Sequence, residues 1–219
     1  MVERTKRKPR RKAALSAQQI ASEALALVDD EGLDAFSFRR LARRLGCEAM
    51  SIYHYYSSKQ HLMDAMVSIC LSEVDDPDPD LPFREAMRKF AHSYRATVLR
   101  HPGFALVLVT HRLNHREGLD WLNRTVAIMG TDVPLAKRAK FFRVFSYFMS
   151  GAVIDEAMGY AKGPSATEPY PFEDAKRDFP NIMALGTYFG PDNREAFFDI
   201  GMDLMLDWFE KELSAARFG

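Results

Sequence analysis

Ser37–Lys59 reads SFRRLARRLGCEAMSIYHYYSSK, and this stretch decides the fold. Ser37 is suited to cap a short helix, Phe38–Leu45, which Gly46 stops. Beyond the tight turn Gly46-Cys47-Glu48, the spacing predicts a second short helix over Ala49–Tyr55. Together they have the dimensions of a helix-turn-helix. Leu41, Ala42, Leu45 and Ile52 supply the apolar glue between its helices, and the small Ala42 and Gly46 let them approach closely. On the second helix Ser51, Tyr53, His54 and Tyr55 can face base edges. Arg39, Arg40, Arg43, Arg44 and Lys59 place phosphate-binding charge around it.

Upstream, Ser16 caps an amphipathic helix with Ile20, Ala24, Leu27 and Val28 on one stripe, ended by Gly32. Downstream, a helix from about Lys59 to Glu73 carries Leu62, Met66, Ile69 and Cys70 on one side. Asp75–Asp80 alternates aspartate and proline and reads as a stiff acidic linker. Further helices are expected at Pro82–Arg100, Pro102–Thr110, Arg116–Met129, Pro134–Tyr160, Asn181–Phe189 and Arg194–Leu213, with prolines where a first turn tolerates them. Lys162–Phe179, rich in Pro, Gly, Ser and acidic residues, reads as a long loop. No strand alternation occurs. The expectation is an all-α chain of about nine helices plus a tail.

Charge sharpens this reading. The chain of 219 residues holds 30 Lys+Arg against 30 Asp+Glu, a neutrality that argues at first against a polyanion partner. Its distribution reverses the inference. Residues 1–60 carry twelve basic and seven acidic side chains, for +5, and residues 61–219 carry −5. Seven of those bases lie between Arg4 and Lys12, so residues 1–15 read as a disordered basic arm suited to a minor groove or a phosphate backbone.

Other classes fall away. The longest charge-free stretch, Phe179–Pro191, is thirteen residues and broken by prolines, too short to span a bilayer. No apolar signal core follows the basic N-terminus, and Cys47 and Cys70 form no CxxC or disulfide framework, so a reduced cytoplasmic setting is expected. GxSxG, P-loop, GxGxxG and HExxH motifs are missing, which argues against an enzyme. His111-x-x-x-His115 has metal-ligand spacing, but Asn114 and the charges after it suggest a turn between helices, so neither metal nor cofactor is expected.

The residues of this region resemble the tetracycline-repressor (TetR) family of bacterial transcription regulators. The likeness is densest from Ile20 to about Val74: the Gly32-Leu33 turn, Arg39-x-Leu41-Ala42-x-x-Leu45-Gly46, Ile52-Tyr53-x-Tyr55 and Lys59-x-x-Leu62. The rest of the chain is similar only in helix count and in a long helix before a loop and a final helix. The resemblance implies a two-fold dimer, recognition helices in successive major grooves of a palindromic operator, and a C-terminal domain that binds a small molecule. It makes Ala49, Met50, Ser51, Tyr53, His54 and Tyr55 candidate DNA contacts, with Arg39 reaching a base or phosphate and Lys59 holding a phosphate. Tyr55 stands where the family often has His, and Cys47 where it usually has Val, so the operator sequence cannot be borrowed. The organisation implied is an arm over 1–15, a DNA-binding domain over 16–60 and an effector-binding and dimerisation domain over 61–219.

In that larger domain the eighth helix shows Phe141, Phe145, Phe148 and Ala152 on one stripe, and the last shows Phe197, Gly201, Leu204 and Trp208. Both apolar surfaces are wider than one core requires, so these are either central core helices or helices with one face packed inside and the other across a dimer; the family resemblance favours the dimer, with Phe141, Phe148, Ala152, Leu204 and Trp208 at its interface. Phe104, Leu108, His111, Trp121, Phe145 and Met149 are expected to surround a cavity for a largely apolar effector, with polar specificity from His101, His111 or Tyr160. The reading is a ligand-responsive regulator, a repressor released by its effector. Alternatives are an effector-independent DNA-binding regulator, or a helical enzyme or small-molecule carrier.

Overall fold

The computed structural model describes residues 15–159 and 166–215; the basic arm before Leu15, and Tyr160, lie outside the described residues. Among those described it is all-α, with eleven α-helices and two short 3₁₀ turns. The chain divides into two compact units, Met1–Met66 and Val67–Gly219.

In the first unit α1 (Ala17–Glu31), α2 (Phe38–Leu45), α3 (Ala49–Tyr53) and the start of α4 (Lys59–Ser72) build a small helical domain. Ser16 and Gln19 form a reciprocal capping box at the start of α1: the Gln19 N–H donates to Ser16 Oγ at 3.2 Å, and the Ser16 N–H donates to Gln19 Oε1 at 3.1 Å. The Ser37 hydroxyl accepts from the Arg40 N–H at 3.3 Å and starts α2. Gly46 ends α2 in the left-handed region, φ 64°, and the Cys47 N–H then closes onto the Ala42 carbonyl at 3.0 Å. A side chain at 46 would be strained there, which is why a glycine makes this turn. The core holds Ile20, Ala24, Leu27, Val28, Phe36, Leu41, Ile52, Tyr56 and Leu62.

The second unit is carried by α5 (Phe83–Arg100), α8 (Leu135–Met158) and α11 (Arg194–Ala215), with α6 (Ala105–Thr110) and α7 (Arg116–Ala127) between α5 and α8. Each long helix turns one apolar row inward: Ala86, Met87 and Phe90 from α5; Phe141, Phe145, Met149 and Val153 from α8; Phe198, Met202, Met205 and Phe209 from α11. Their rings interlock, with Phe141 and Phe209 centroids 4.2 Å apart and Phe83 against both. Phe148 lies over Gly201, where a Cβ would collide with its ring. A ladder of charges sets the register of α5 on α11, as Arg84 meets Asp203, Asp207 and Glu210, and Arg88 meets Asp199 and Asp203. These partly exposed pairs fix geometry more than stability. The pair Arg95–Glu156 between α5 and α8 is different, bidentate and nearly buried, with side chains only 15% and 7% exposed.

Two expectations change. The stretch read as a loop over Lys162–Phe179 contains a helix, α9 (Phe172–Asp178), and α10 (Pro180–Gly186) follows it directly. Acidic Glu173 and Asp174 in the first turn and Lys176 and Arg177 in the last match the helix dipole, and the pairs Lys176–Glu173 and Arg177–Asp174 brace it. The second short helix of the helix-turn-helix stops at Tyr53 rather than Tyr55, because the Tyr55 and Tyr56 N–H groups both close onto the Ile52 carbonyl. The Asp75–Asp80 linker is tied down at two points: the Asp75 N–H donates to Ser93 Oγ at 2.8 Å, and Asp76 meets Arg124.

Glu156→Ala leaves the Arg95 guanidinium buried without its carboxylate. It is expected to lower stability by about 3 kcal/mol in a urea titration, and Arg95→Met in the same chain should recover much of that loss.

Candidate nucleic-acid interface and effector cavity

Ile52 is the one buried residue of α3. Around it the helix presents Met50 and Tyr53, which are 65% and 47% exposed, and the turn that follows presents His54 and Tyr55. Ala49 and Ser51 are half-buried. Tyr53 is not loose, for its ring lies 4.7 Å from Phe38, which holds it at the surface in one place. Tyr55 donates its hydroxyl proton to the Leu15 carbonyl at 2.5 Å, so it tethers the point where the basic arm begins. Tyr56 belongs to the core: its hydroxyl donates to the Ala17 carbonyl at 2.9 Å, and burial raises its phenol pKa.

The arginines of α2 separate into two kinds. Arg40 pairs with Glu31 at 2.9 Å, and Arg44 is clamped by Glu23 and Asp30, hydrogen bonds that raise its pKa further. Arg39 and Arg43 are exposed and, among the described residues, meet no acidic partner. Lys59 is exposed at the start of α4, its ammonium 5.2 Å from the centre of the Phe36 ring. This unit therefore exposes Arg39, Lys59 and the outward side chains of α3, and a run of rings, Phe36, Phe38 and Tyr53, links Lys59 to α3. That arrangement can accept phosphates around a short reading helix.

In the second unit a cavity of about 140 Å³ opens between α5, α6, α7 and α8. Leu108, His111, Trp121, Phe145 and Met149, expected around an effector, line it. Phe104 does not: it is 0% exposed and packed in the core, because it precedes α6 and points into the helix bundle's interior. His101 is turned away onto Glu73 at 3.2 Å. His111 and His115 both sit in the connection between α6 and α7, ring centroids 6.2 Å apart, so their four-residue spacing is not helical. Phe90, Tyr94, Phe142 and Ser146 line the cavity without having been anticipated, although Phe90 and Tyr94 share an i, i+4 row on α5 that carried the signal. Burial lifts the Tyr94 phenol to about 12, so it stays protonated and able to donate.

Exposed apolar side chains of α8 and α11 form the other feature. Val144 and Tyr147 on α8, and Phe197, Ile200 and Leu204 on α11, face outward, with Leu204 67% exposed. Phe148, Ala152 and Trp208 are half-buried beside them. Phe141 is corrected: at 1% exposure it packs against Phe209 within the subunit and has no surface to offer a partner. The sequence reading missed Val144, Tyr147 and Ile200, which lie at i, i+3 steps along the outer rows.

Two family sequence patterns cover most of the chain. Residues 14–66 match "Bacterial regulatory proteins, tetR family", and residues 76–213 match "Tetracyclin repressor-like, C-terminal domain". The class D tetracycline repressor protein of Escherichia coli is 24% identical over 213 residues, 93% of each chain. A possible TetR-family regulator from Streptomyces coelicolor superposes with a TM-score of 0.74 at 22% identity, covering 90% of this chain and 99% of its own. The ActR protein of the same organism, in complex with actinorhodin, superposes with a TM-score of 0.72 at 23% identity, covering 90% and 96%. At such identities the structural likeness establishes the fold. No helix among the described residues is long and apolar enough to cross a membrane.

Arg44→Ala, which removes a side chain already held by Glu23 and Asp30, should lower the melting temperature slightly. It should leave the salt dependence of DNA binding unchanged in a fluorescence-anisotropy titration.

Proposed function

The chain belongs to the tetR family of bacterial regulatory proteins, and from that premise we propose that it is a cytoplasmic repressor that binds a palindromic operator as a homodimer and leaves it when a small molecule enters the cavity of the second unit. It is a DNA-binding regulator and not an enzyme. The observation that carries the proposal is α3 itself, where Ile52 alone is sealed in the core while Met50 and Tyr53, with His54 and Tyr55 after them, stand outward, as Arg39 and Lys59 also do. In this reading Tyr53, His54 and Met50 meet base edges, Ala49 and Ser51 lie against the backbone, and Arg39 and Lys59 take phosphates. Tyr55 contributes by holding Leu15 with its hydroxyl.

A single helix of this length reads few base pairs, which is why a dimer matters. Two copies about 34–36 Å apart read two half-sites in successive major grooves. Phe197, Ile200 and Leu204 of α11, with Val144, Tyr147, Phe148, Ala152 and Trp208, supply the apolar surface for that pairing. An effector that favours a different spacing of the two reading helices weakens operator binding. The coupling runs along α4, which begins at Lys59 and continues past the boundary of the two units. A coupling of roughly 1–3 kcal/mol gives about a 5–150-fold change in affinity.

Two measurements test this. Arg39→Ala and Lys59→Ala should each weaken binding to the promoter DNA beside the protein's own gene, and each should reduce the slope of log affinity against log salt by about one. Affinity and slope unchanged in both variants would refute the phosphate assignment. Leu204→Glu should shift the protein from dimer to monomer in sedimentation equilibrium and, with it, lower operator affinity at least about tenfold. A dimer that persists would move the interface away from α11.

A further inference from the structure

The cavity wall has a chemistry more specific than "apolar". Phe90, Tyr94, Trp121 and Phe145 form a continuous cluster of rings: Trp121 lies 5.6 Å from Phe90 and 6.0 Å from Tyr94, and Phe90 lies 6.4 Å from Phe145. The planes are tilted by 30–39°, so the wall presents both faces and edges to whatever enters. An aromatic guest finds offset and edge-on partners there that an aliphatic one of equal size does not.

The same wall offers an ionic guest no carboxylate, ammonium or guanidinium partner. No Asp, Glu, Lys or Arg is among the residues lining the cavity. An ion moved into such a space without a partner is costly. Polar groups do occur, but two are committed, since Thr125 donates to the Trp121 carbonyl at 2.9 Å and Ser146 to the Phe142 carbonyl at 2.6 Å. Tyr94 and Ser150 also line the cavity, enough to orient a small polar substituent.

Volume gives the scale of what these walls enclose. Cavities that take drug-sized ligands run to about 300–1,000 Å³, whereas one of roughly 150 Å³ lined by apolar side chains takes benzene. At about 140 Å³ this cavity accommodates one six-membered ring. We infer that the effector of this protein is an uncharged single-ring aromatic molecule carrying one hydroxyl or similar polar substituent, held between Trp121, Phe90 and Phe145 with the substituent toward Tyr94. The inference rests on the reading of this cavity as the effector site, and narrows it to a ligand class.

The test is calorimetric titration of the full-length protein with phenol, with benzoate as the charged single ring, and with acridone as a neutral three-ring probe. Phenol is expected to bind at least about tenfold more tightly than either of the others. In the Tyr94→Phe variant, phenol should lose roughly fivefold in affinity, the worth of one hydrogen bond, while toluene stays within about twofold of its affinity for the unaltered protein. Tighter binding by benzoate or acridone, weakened by Trp121→Ala, would overturn the ligand class and leave the cavity as the effector site. No binding by any of these compounds would overturn both. Equal loss of phenol and toluene in Tyr94→Phe would overturn the orientation of the substituent.

Discussion

The structure depends first on the burial of one side chain. Ile52 is the only residue of α3 sealed from solvent, and α3 is just one and a half turns long. Such a helix has no stability of its own, because helices this short do not persist in water without tertiary contacts. Its existence and its orientation both come from Ile52 entering the core that Leu41 and Ala42 of α2 also enter. The left-handed turn at Gly46 delivers the chain to that position. Once Ile52 is fixed, the helical period places Met50, Tyr53 and His54 on the outside without further instruction.

The charge pattern follows the same division of labour. Arg40 and Arg44 are consumed inside the unit by Glu31, Glu23 and Asp30, and so help hold α2 against α1. Arg39 and Lys59 stay exposed. The neutrality of the whole chain thus averages a basic reading unit with an acidic body. Many of the body's carboxylates are occupied with its own arginines, along α5 and α11 most of all.

Local signals are legible in the sequence. The caps Ser16 and Ser37, the stops Gly32 and Gly46 and the prolines at helix starts each act through neighbouring backbone, so their effect is readable in a few residues. Periodicity also identified the apolar rows of α8 and α11. What it could not supply was which row faces inward, since Phe141 and Val144 differ only in where the rest of the bundle sits, and that is a tertiary fact. Phe104 was misplaced for the same reason. The loss of α9 had a different cause: the prolines and glycines before it outweighed a dipole-matched stretch, Phe172–Asp178, that uses ion pairs instead of apolar packing. Tyr55 was read as a DNA contact by resemblance, and only the fold brings Leu15 to its hydroxyl, 40 residues away in sequence.

In the proposed function α3 and its companion in a second subunit occupy successive major grooves. Hydroxyl-radical footprinting of the protein on the promoter DNA beside its own gene tests it most directly. Two protected blocks related by a dyad are expected, their centres about one helical turn, or 34–36 Å, apart. Both blocks should vanish together in a variant that cannot dimerise. A single protected block, or protection without a dyad, would contradict it.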